Sequence, residues 1–523
     1  MLTKEQNVVV NIKESGVYSV RAVAGSGKTF TAIEYMKKHS DERILYLVFN
    51  ASNRRELKEK LSDRGIRNVD VHTVHSYCYS KTISNKNSKI HNEFARKIKV
   101  GFGIDTSDLM DLYGFNYVTA KSILDLYDKY LQSDVSLNEF LLGVRKKEIF
   151  AKIFSWIDSS FKNGDYYIPH DYYVKWYSDN SGKDFYDTII VDEAQDINKV
   201  MFKVILNIDC DKLILIGDSE QLIYGWRGAI DSLKKVKDYR ENVNFLELTN
   251  SFRVGKEIAH IAEVFTGKKV SGLGNNEFVE EEEIMKNEKY TVMGFSNGSL
   301  FSWYVKHLQV LEGVKIFFRN FDPREIWNMI NFARGEYSKV YDKGLLKFGT
   351  FKELLRVLDF DEILDISDVK KNDEKYGNLE EKYRDLAKLI KIYGYSFLIM
   401  VLSKIKENSV EFGEERVLLT TVHTSKGAEF DNLIMLWGGL IDFSFLDGVV
   451  DDMCNDDEMI LDGKRFKNAK GYIKYFRENF GTKFNNENFL GLLNVFYVAI
   501  TRAKGKLYVE NSLLMEYLKS LVK

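Results

Sequence analysis

The stretch FYDTIIVDEAQD (185–196) ends an apolar run in three carboxylates, Asp192, Glu193 and Asp196. Like charges this close together repel one another unless a cation or strong donors sit among them. The paired acids suit a divalent cation and an attacking water. Asp192 would hold the ion, and Glu193 would orient or deprotonate the water. A matching polyanion site is written in AVAGSGKT (22–29). Its small residues, Ala24, Gly25, Ser26 and Gly27, let backbone N–H groups face phosphates. Lys28 would reach the β- and γ-phosphates and Thr29 would ligate Mg²⁺.

These groups need strands and helices to place them. VYSVRAV (17–23) reads as a strand running into the glycine-rich turn, and FTAIEYMKKH as the helix after it. RILYLVFN (43–50), NVDVHTVHSY (68–77), DTIIVDE and KLILIGD (212–218) read as further strands of one open parallel sheet. A second series follows: VNFLEL (243–248), KYTVMGF (289–295), GVKIFFR (313–319), RVLLTTV (416–422), NLIMLWG (432–438) and KLYVEN (506–511). Two blocks break the strand pattern. Residues 85–178 are charged, aromatic and helical in period. LEEKYRDLAKLIKIYGYSFL (379–398) places apolar residues close to every 3.6 positions.

Composition bounds the rest. A chain of 523 residues with 45% hydrophobic and 14% aromatic content has ample material for more than one packed core. Only Pro169 and Pro323 occur, so junctions between domains are short or helical. The net charge of −2 excludes a histone-like basic binder but not a local basic track for nucleic acid. Cys78, Cys210 and Cys454 form no CxxC pair, and this fits a reducing compartment. With no long uncharged apolar run, the expectation is a cytoplasmic protein without a membrane partner.

DEAQD resembles the acidic box of superfamily 1A helicases of the UvrD/Rep/PcrA type, and the other motifs of that family follow in order. TKEQNVVV carries Gln6, similar to the adenine-reading glutamine. VFNASNRREL (48–57) is similar to the motif with a base-stacking Phe, here Phe49, followed by Asn50. HTVHSY (72–77) contains His75, and GDSEQLIYGWRGA (217–229) is the most specific match. LTNSFRVGKEIA (248–259), TTVHTSKGAEFDNL (420–433) and FYVAITRAKGKL (496–507) complete the set. IPHDYYVKWY and NVFYVAITRAK also resemble the F-box DNA helicase subgroup. The glutamine motif stands at the start of the sequence, so the expectation is a chain without the F-box.

The resemblance implies an α/β fold of two RecA-like parallel-sheet P-loop NTPase domains, each with a helical insertion. The expected boundaries are 1–84 and 179–249 for the first domain and 85–178 for its insertion. They are 250–345 and 412–523 for the second domain and 346–411 for a reduced insertion. ATP and Mg²⁺ are the implied cofactors. Arg253 and Arg502 become arginine fingers, Gln221 a γ-phosphate sensor, Phe252 an adenine-stacking ring and Glu429 a ribose or motif contact. Phe49, Asn50, His75, Tyr224, Trp226, Arg227 and His423 become DNA contacts. Aromatic faces stack on any base, which suits movement along a strand of arbitrary sequence. Phe30 and Phe252 depart from the Arg and Tyr usual in the family; Phe252 keeps the ring without the hydroxyl, and Phe30 leaves adenine packing open.

The implied activity is an ATP-dependent single-stranded DNA translocase and 3′–5′ helicase, with single-stranded and tailed duplex DNA as partners. Two other readings stay open. One is a motor subunit that strips recombinase filaments or serves a nuclease or another repair or defence protein. The other is an ATP-gated nucleic-acid sensor that does not unwind.

Overall fold

The computed structural model describes residues 2–85, 88–94, 98–180, 184–223, 228–320, 322–341, 345–348, 350–352, 387, 389–436, 459–461, 464–466 and 494–510. It divides into two compact units, Met1–Asn250 and Ser251–Lys523.

The first unit is built on a parallel sheet of β1 (Gly16–Ala22), β2 (Ile44–Val48), β3 (Val69–Thr73), β4 (Phe185–Asp192), β5 (Asp209–Gly217) and β6 (Val243–Leu248). Their order is β3-β2-β4-β5-β1-β6. The strands read as continuous apolar runs because both faces are covered. Alternation sorts the side chains. Ile44, Tyr46, Ile190, Ile214 and Ile216 join one core with Val9, Ile33 and Met36. Leu45, Leu47, Ile189, Val191, Leu213 and Leu215 join the opposite core.

That second core does not stop at the sheet. Helices Tyr117–Leu131 and Lys147–Asn163 contribute Ile123, Phe154, Ile157 and Phe161 to it. The helical block between β3 and β4 therefore shares buried surface with the sheet face beneath it. Helix His170–Asn180 packs against helix Val74–Lys81 and brings the chain back to β4.

Two strand expectations are corrected. The run 68–77 is strand only to Thr73, and Val74–Lys81 is helix. Thr73 caps that helix. Its hydroxyl accepts from Ser76 N at 3.0 Å, while Ser76 Oγ accepts from Thr73 N at 2.8 Å, a reciprocal box that outweighs the strand-like alternation. VNFLEL, grouped with the second strand series although it falls inside the boundary expected for the first domain, pairs in parallel with β1 and is the edge of the first sheet.

The second unit has its own parallel sheet. Its strands lie in the order Ile316–Phe318, Val417–Thr421, Tyr290–Gly294, Phe430–Leu436, Ala503–Glu510 and Glu277–Phe278. Val292, Leu419 and Ile434 are fully buried with Phe301, Met329 and Val401, the last from helix Tyr395–Asn408. The expected helix over 379–398 falls partly outside the described residues.

Candidate nucleotide and nucleic-acid site

Parallel sheets place ligands beyond the carboxyl ends of their strands. In the first unit, β4, β5 and β1 are neighbours, so the segments that follow them open at one edge. These segments are DEAQD, GDSEQ and AGSGKT.

After β1, the turn reverses through Gly25 at φ 73° and Gly27 at φ 76°, values that favour glycine. Lys28 and Thr29 open helix Lys28–Lys38. A Cβ on Gly27 would lie 3.0 Å from Gln6 Nε2, so the turn has closed against Gln6. Gln6 is 2% exposed and donates to Ser26 O at 3.1 Å. Its Oε1 accepts from Thr3 N at 2.9 Å and fixes the side chain in a helix capping box. Ala24 is buried in the same turn. Ser26 Oγ is buried there with no hydrogen-bond partner among the described residues, as suits a loop shaped to receive a polar ligand.

The acidic cluster is resolved by sorting its charges onto different partners. Asp192 accepts from Tyr46 OH at 2.9 Å and from Thr29 Oγ1 at 3.4 Å. Glu193 accepts from Lys28 Nζ at 3.1 Å and from Gln195 Nε2 at 2.7 Å. Burial, and then the charge of Glu193, push the Asp192 carboxyl above its ordinary range against the pull of Lys28. Burial alone would lower the Lys28 pKa, but Glu193, Asp218 and Asp192 together raise it. Glu193 also has φ 53°, a left-handed backbone costing a non-glycine residue about 1–3 kcal/mol. Strain of this kind is characteristic of functional positions.

After β5, Gln221 is buried and donates to Asp218 Oδ2 at 2.8 Å. Tyr224, Trp226 and Arg227 lie outside the described residues. Two side chains at this edge were passed over in the sequence, Tyr46 and Gln195. The available signals were a tyrosine on the P-loop side of β2 and an amide set among acids.

A cavity of about 280 Å³ opens where β2, β3 and β4 end, lined by Phe49, His75, Gln132, Asp171, Asp192 and Asn198 among others. Phe49 and His75, which the sequence resemblance marks as strand contacts, thus share one cavity with Asp192. Phe49 is 39% exposed. Asn50 caps the helix after it, accepting from Asn53 N at 2.8 Å. His75 Nε2 faces Asp171 Oδ1 at 2.9 Å, and Gln132 Nε2 donates to Asp171 Oδ2 at 3.1 Å. Burial raises the Asp171 pKa, but His75 and Gln132 outweigh it and hold the carboxyl below its usual range. One ring nitrogen of His75 is therefore committed inside the protein. Phe49→Ala is expected to weaken single-strand binding by about 1–3 kcal/mol, the cost of one lost base stack. Fluorescence anisotropy with a labelled oligonucleotide checks it, and the melting temperature should fall less than for a core ring, because Phe49 is more than a third exposed.

In the second unit, Arg253, Glu429 and Arg502 come together. Arg253 donates through Nε (2.8 Å) and Nη2 (2.5 Å) to Glu429 Oε1, and through Nη1 to Thr501 O at 3.1 Å. Arg502 is 2% exposed and donates to Val498 O at 3.0 Å and Ala428 O at 3.4 Å. Burial works against the Glu429 charge, but Arg253, Lys504 and Arg502 hold its carboxyl below the ordinary range. Phe252 is half exposed beside Arg253. His423 lies in the turn after strand Val417–Thr421.

Comparison with known proteins agrees with this geometry. The AAA domain family matches residues 5–227, and the UvrD-like helicase C-terminal domain family matches residues 229–513. F-box DNA helicase 1 of Gallus gallus is 26% identical over 487 residues, covering 83% of this chain and 44% of that protein. F-box DNA helicase protein 1 of Schizosaccharomyces pombe is 23% identical over 553 residues, covering 99% of this chain and 58% of that protein. A probable DNA helicase II homologue of Mycoplasma capricolum is 26% identical over 318 residues, covering 55% of this chain and 43% of that protein. The chain thus spans about half the length of these relatives.

Proposed function

The chain belongs to the UvrD/Rep family of superfamily 1 helicases, and from that premise we propose that it is an ATP- and Mg²⁺-dependent single-stranded DNA translocase that unwinds tailed duplexes in the 3′–5′ direction. The observation that carries the reading is the cluster at the ends of β1, β4 and β5. There a P-loop lysine, a hydroxyl and two acids already contact one another, Lys28 with Glu193 and Thr29 with Asp192.

The residues present fit the nucleotide and its ion. The orphaned Ser26 hydroxyl and the glycine turn form a cradle for phosphate oxygens. Thr29 and Asp192 would hold Mg²⁺, which when bound neutralises phosphate charge and leaves the phosphorus open to attack. Lys28 offers its ammonium group to phosphate. Glu193 orients the attacking water and accepts its proton, and Gln195 keeps that carboxylate in place. Gln6 is fixed beside the loop to read adenine. Arg253 and Arg502 supply positive charge to the transition state, and Glu429 holds Arg253 in position until then. Phe49 and the Tyr224–Arg227 segment grip the strand, with Asn50, His75 and His423 as lesser contacts.

Duplexes with a 3′ or a 5′ single-stranded tail test the proposal. The 3′-tailed substrate should be unwound with ATP, the 5′-tailed one should not, and Lys28→Ala should unwind neither. Strand-stimulated hydrolysis without unwinding of either duplex would move the reading to a motor that acts on a partner. Strand binding that responds to ATP without stimulated hydrolysis would move it to a sensor.

A further inference from the structure

Gln195 sits at the junction of two segments that the reaction needs. It is fully buried. Its amide nitrogen donates to Glu193 Oε2 at 2.7 Å, and its carbonyl oxygen accepts from Asp218 N at 3.0 Å. Both polar ends of one side chain are therefore used, one on the acid after β4 and the other on the backbone after β5. Glycine at 217 is what permits this. A Cβ there would stand 2.3 Å from Gln195 Oε1 and 3.0 Å from Ala194 N. Any larger residue would evict the amide.

The same turn holds the far end of the segment that follows. Asp218 receives Gln221 Nε2 at 2.8 Å where the segment begins. Where it ends, Ala229 pairs with Asn198, Ile230 N donates to Ile197 O at 2.8 Å, and Ser232 Oγ donates to Ala194 O at 2.5 Å. Among the described residues, Asp218 on one side and Ala229, Ile230 and Ser232 on the other are thus tied to residues 194–198. The tie through Gln195 also touches Glu193.

We propose that Gln195 is a positioning residue that sets the Glu193 carboxylate for catalysis and locks that setting to the backbone at Asp218, where β5 ends. The proposal rests on the reading of Glu193 as the water-orienting acid. Glu193 accepts from Lys28 and from Gln195. Lys28 is the donor for which phosphate would compete, whereas Gln195 stands outside the loop. A shift of the backbone after β5 pulls on Asp218 N, and Gln195 passes that pull to Glu193.

The test uses Gln195→Glu and Gln195→Leu in the full chain. Gln195→Glu keeps an acceptor for Asp218 N but replaces the neutral amide donor with a second carboxyl that must share a proton with Glu193, so the Glu193 base is perturbed while the link to Asp218 stays. Gln195→Leu removes both links. Hydrolysis without DNA at saturating ATP should fall about 10- to 100-fold in both, the scale of a misplaced general base. Affinity for a non-hydrolysable ATP analogue, measured by titration, should stay within about threefold, because no phosphate-facing group is altered. The change in single-strand affinity on adding the analogue should survive in Gln195→Glu and vanish in Gln195→Leu. DNA-free hydrolysis within about twofold of wild type in both variants would overturn the proposal. So would unchanged turnover per folded molecule with a lowered melting temperature, which would make Gln195 a packing residue only. Because the first readout needs no DNA, it stands apart from the strand-translocation reading. A wild-type chain that hydrolyses ATP but ignores DNA would sink that reading and leave this one to its own result.

Discussion

Glu193→Gln is expected to lower ATP turnover about 100-fold or more while nucleotide still binds. The amide keeps the shape that Lys28 and Gln195 hold, at 3.1 and 2.7 Å, but cannot accept a proton from water. Its effect on the fold should be small or favourable, because the charge removed is the one that pushes Asp192 up after burial itself. Lys28→Ala should abolish turnover altogether and behave oppositely toward the fold. It leaves Glu193, Asp192 and Asp218 without the cation they share, so the melting temperature at neutral pH should drop. Steady-state hydrolysis, analogue titration and a thermal melt on each variant separate the two patterns. Comparable turnover by Glu193→Gln and wild type would remove Glu193 from the chemistry.

Arg253→Ala and Arg502→Ala are each expected to slow hydrolysis by about 10³-fold, the scale of a lost arginine finger, with a smaller change in analogue affinity. The structure separates the two. Arg253 donates to the Glu429 carboxylate and to the Thr501 carbonyl, so its truncation should lower the melting temperature, but by less than truncation of the more deeply buried Arg502. Arg502 is buried and bonds backbone carbonyls of Val498 and Ala428, so truncation should also lower stability. Arg502→Lys keeps a charge while losing the planar fork, and turnover per folded molecule is the quantity to compare. If that quantity stays within about tenfold of wild type for both alanine variants, neither guanidinium stabilises the transition state.

The parallel sheets were legible because both faces of each are buried, which writes strands such as ILYLV and TIIVD as unbroken apolar runs. The segments after β1, β4 and β5 were legible because their chemistry is local. A phosphate turn needs small residues beside a lysine, and a metal-and-water site needs adjacent acids. What stayed hidden depends on pairing across the chain. Strand-like alternation continues past Thr73, but a hydroxyl cap turns the backbone into a helix there. VNFLEL looks like any other edge strand until its partner β1 is known. Gln195 reads as one more polar residue in an acidic string. Its meaning comes from Asp218, more than twenty residues on, and from the missing side chain at Gly217. His75 reads as a free strand contact, whereas Asp171, from a helix nearly a hundred residues later, already occupies one of its nitrogens.

The central claim is that hydrolysis at the Lys28–Glu193 site is coupled to a DNA strand. The most direct measurement is the ATP hydrolysis rate of the full chain with and without single-stranded DNA, beside Lys28→Ala under the same conditions. The account predicts slow hydrolysis alone, a rise of about tenfold or more on saturation with single strands, and no hydrolysis by Lys28→Ala in either case. A wild-type rate indifferent to single-stranded DNA, with Lys28→Ala still inactive, would contradict it. The chain would then hydrolyse ATP at this site for a purpose other than movement along DNA.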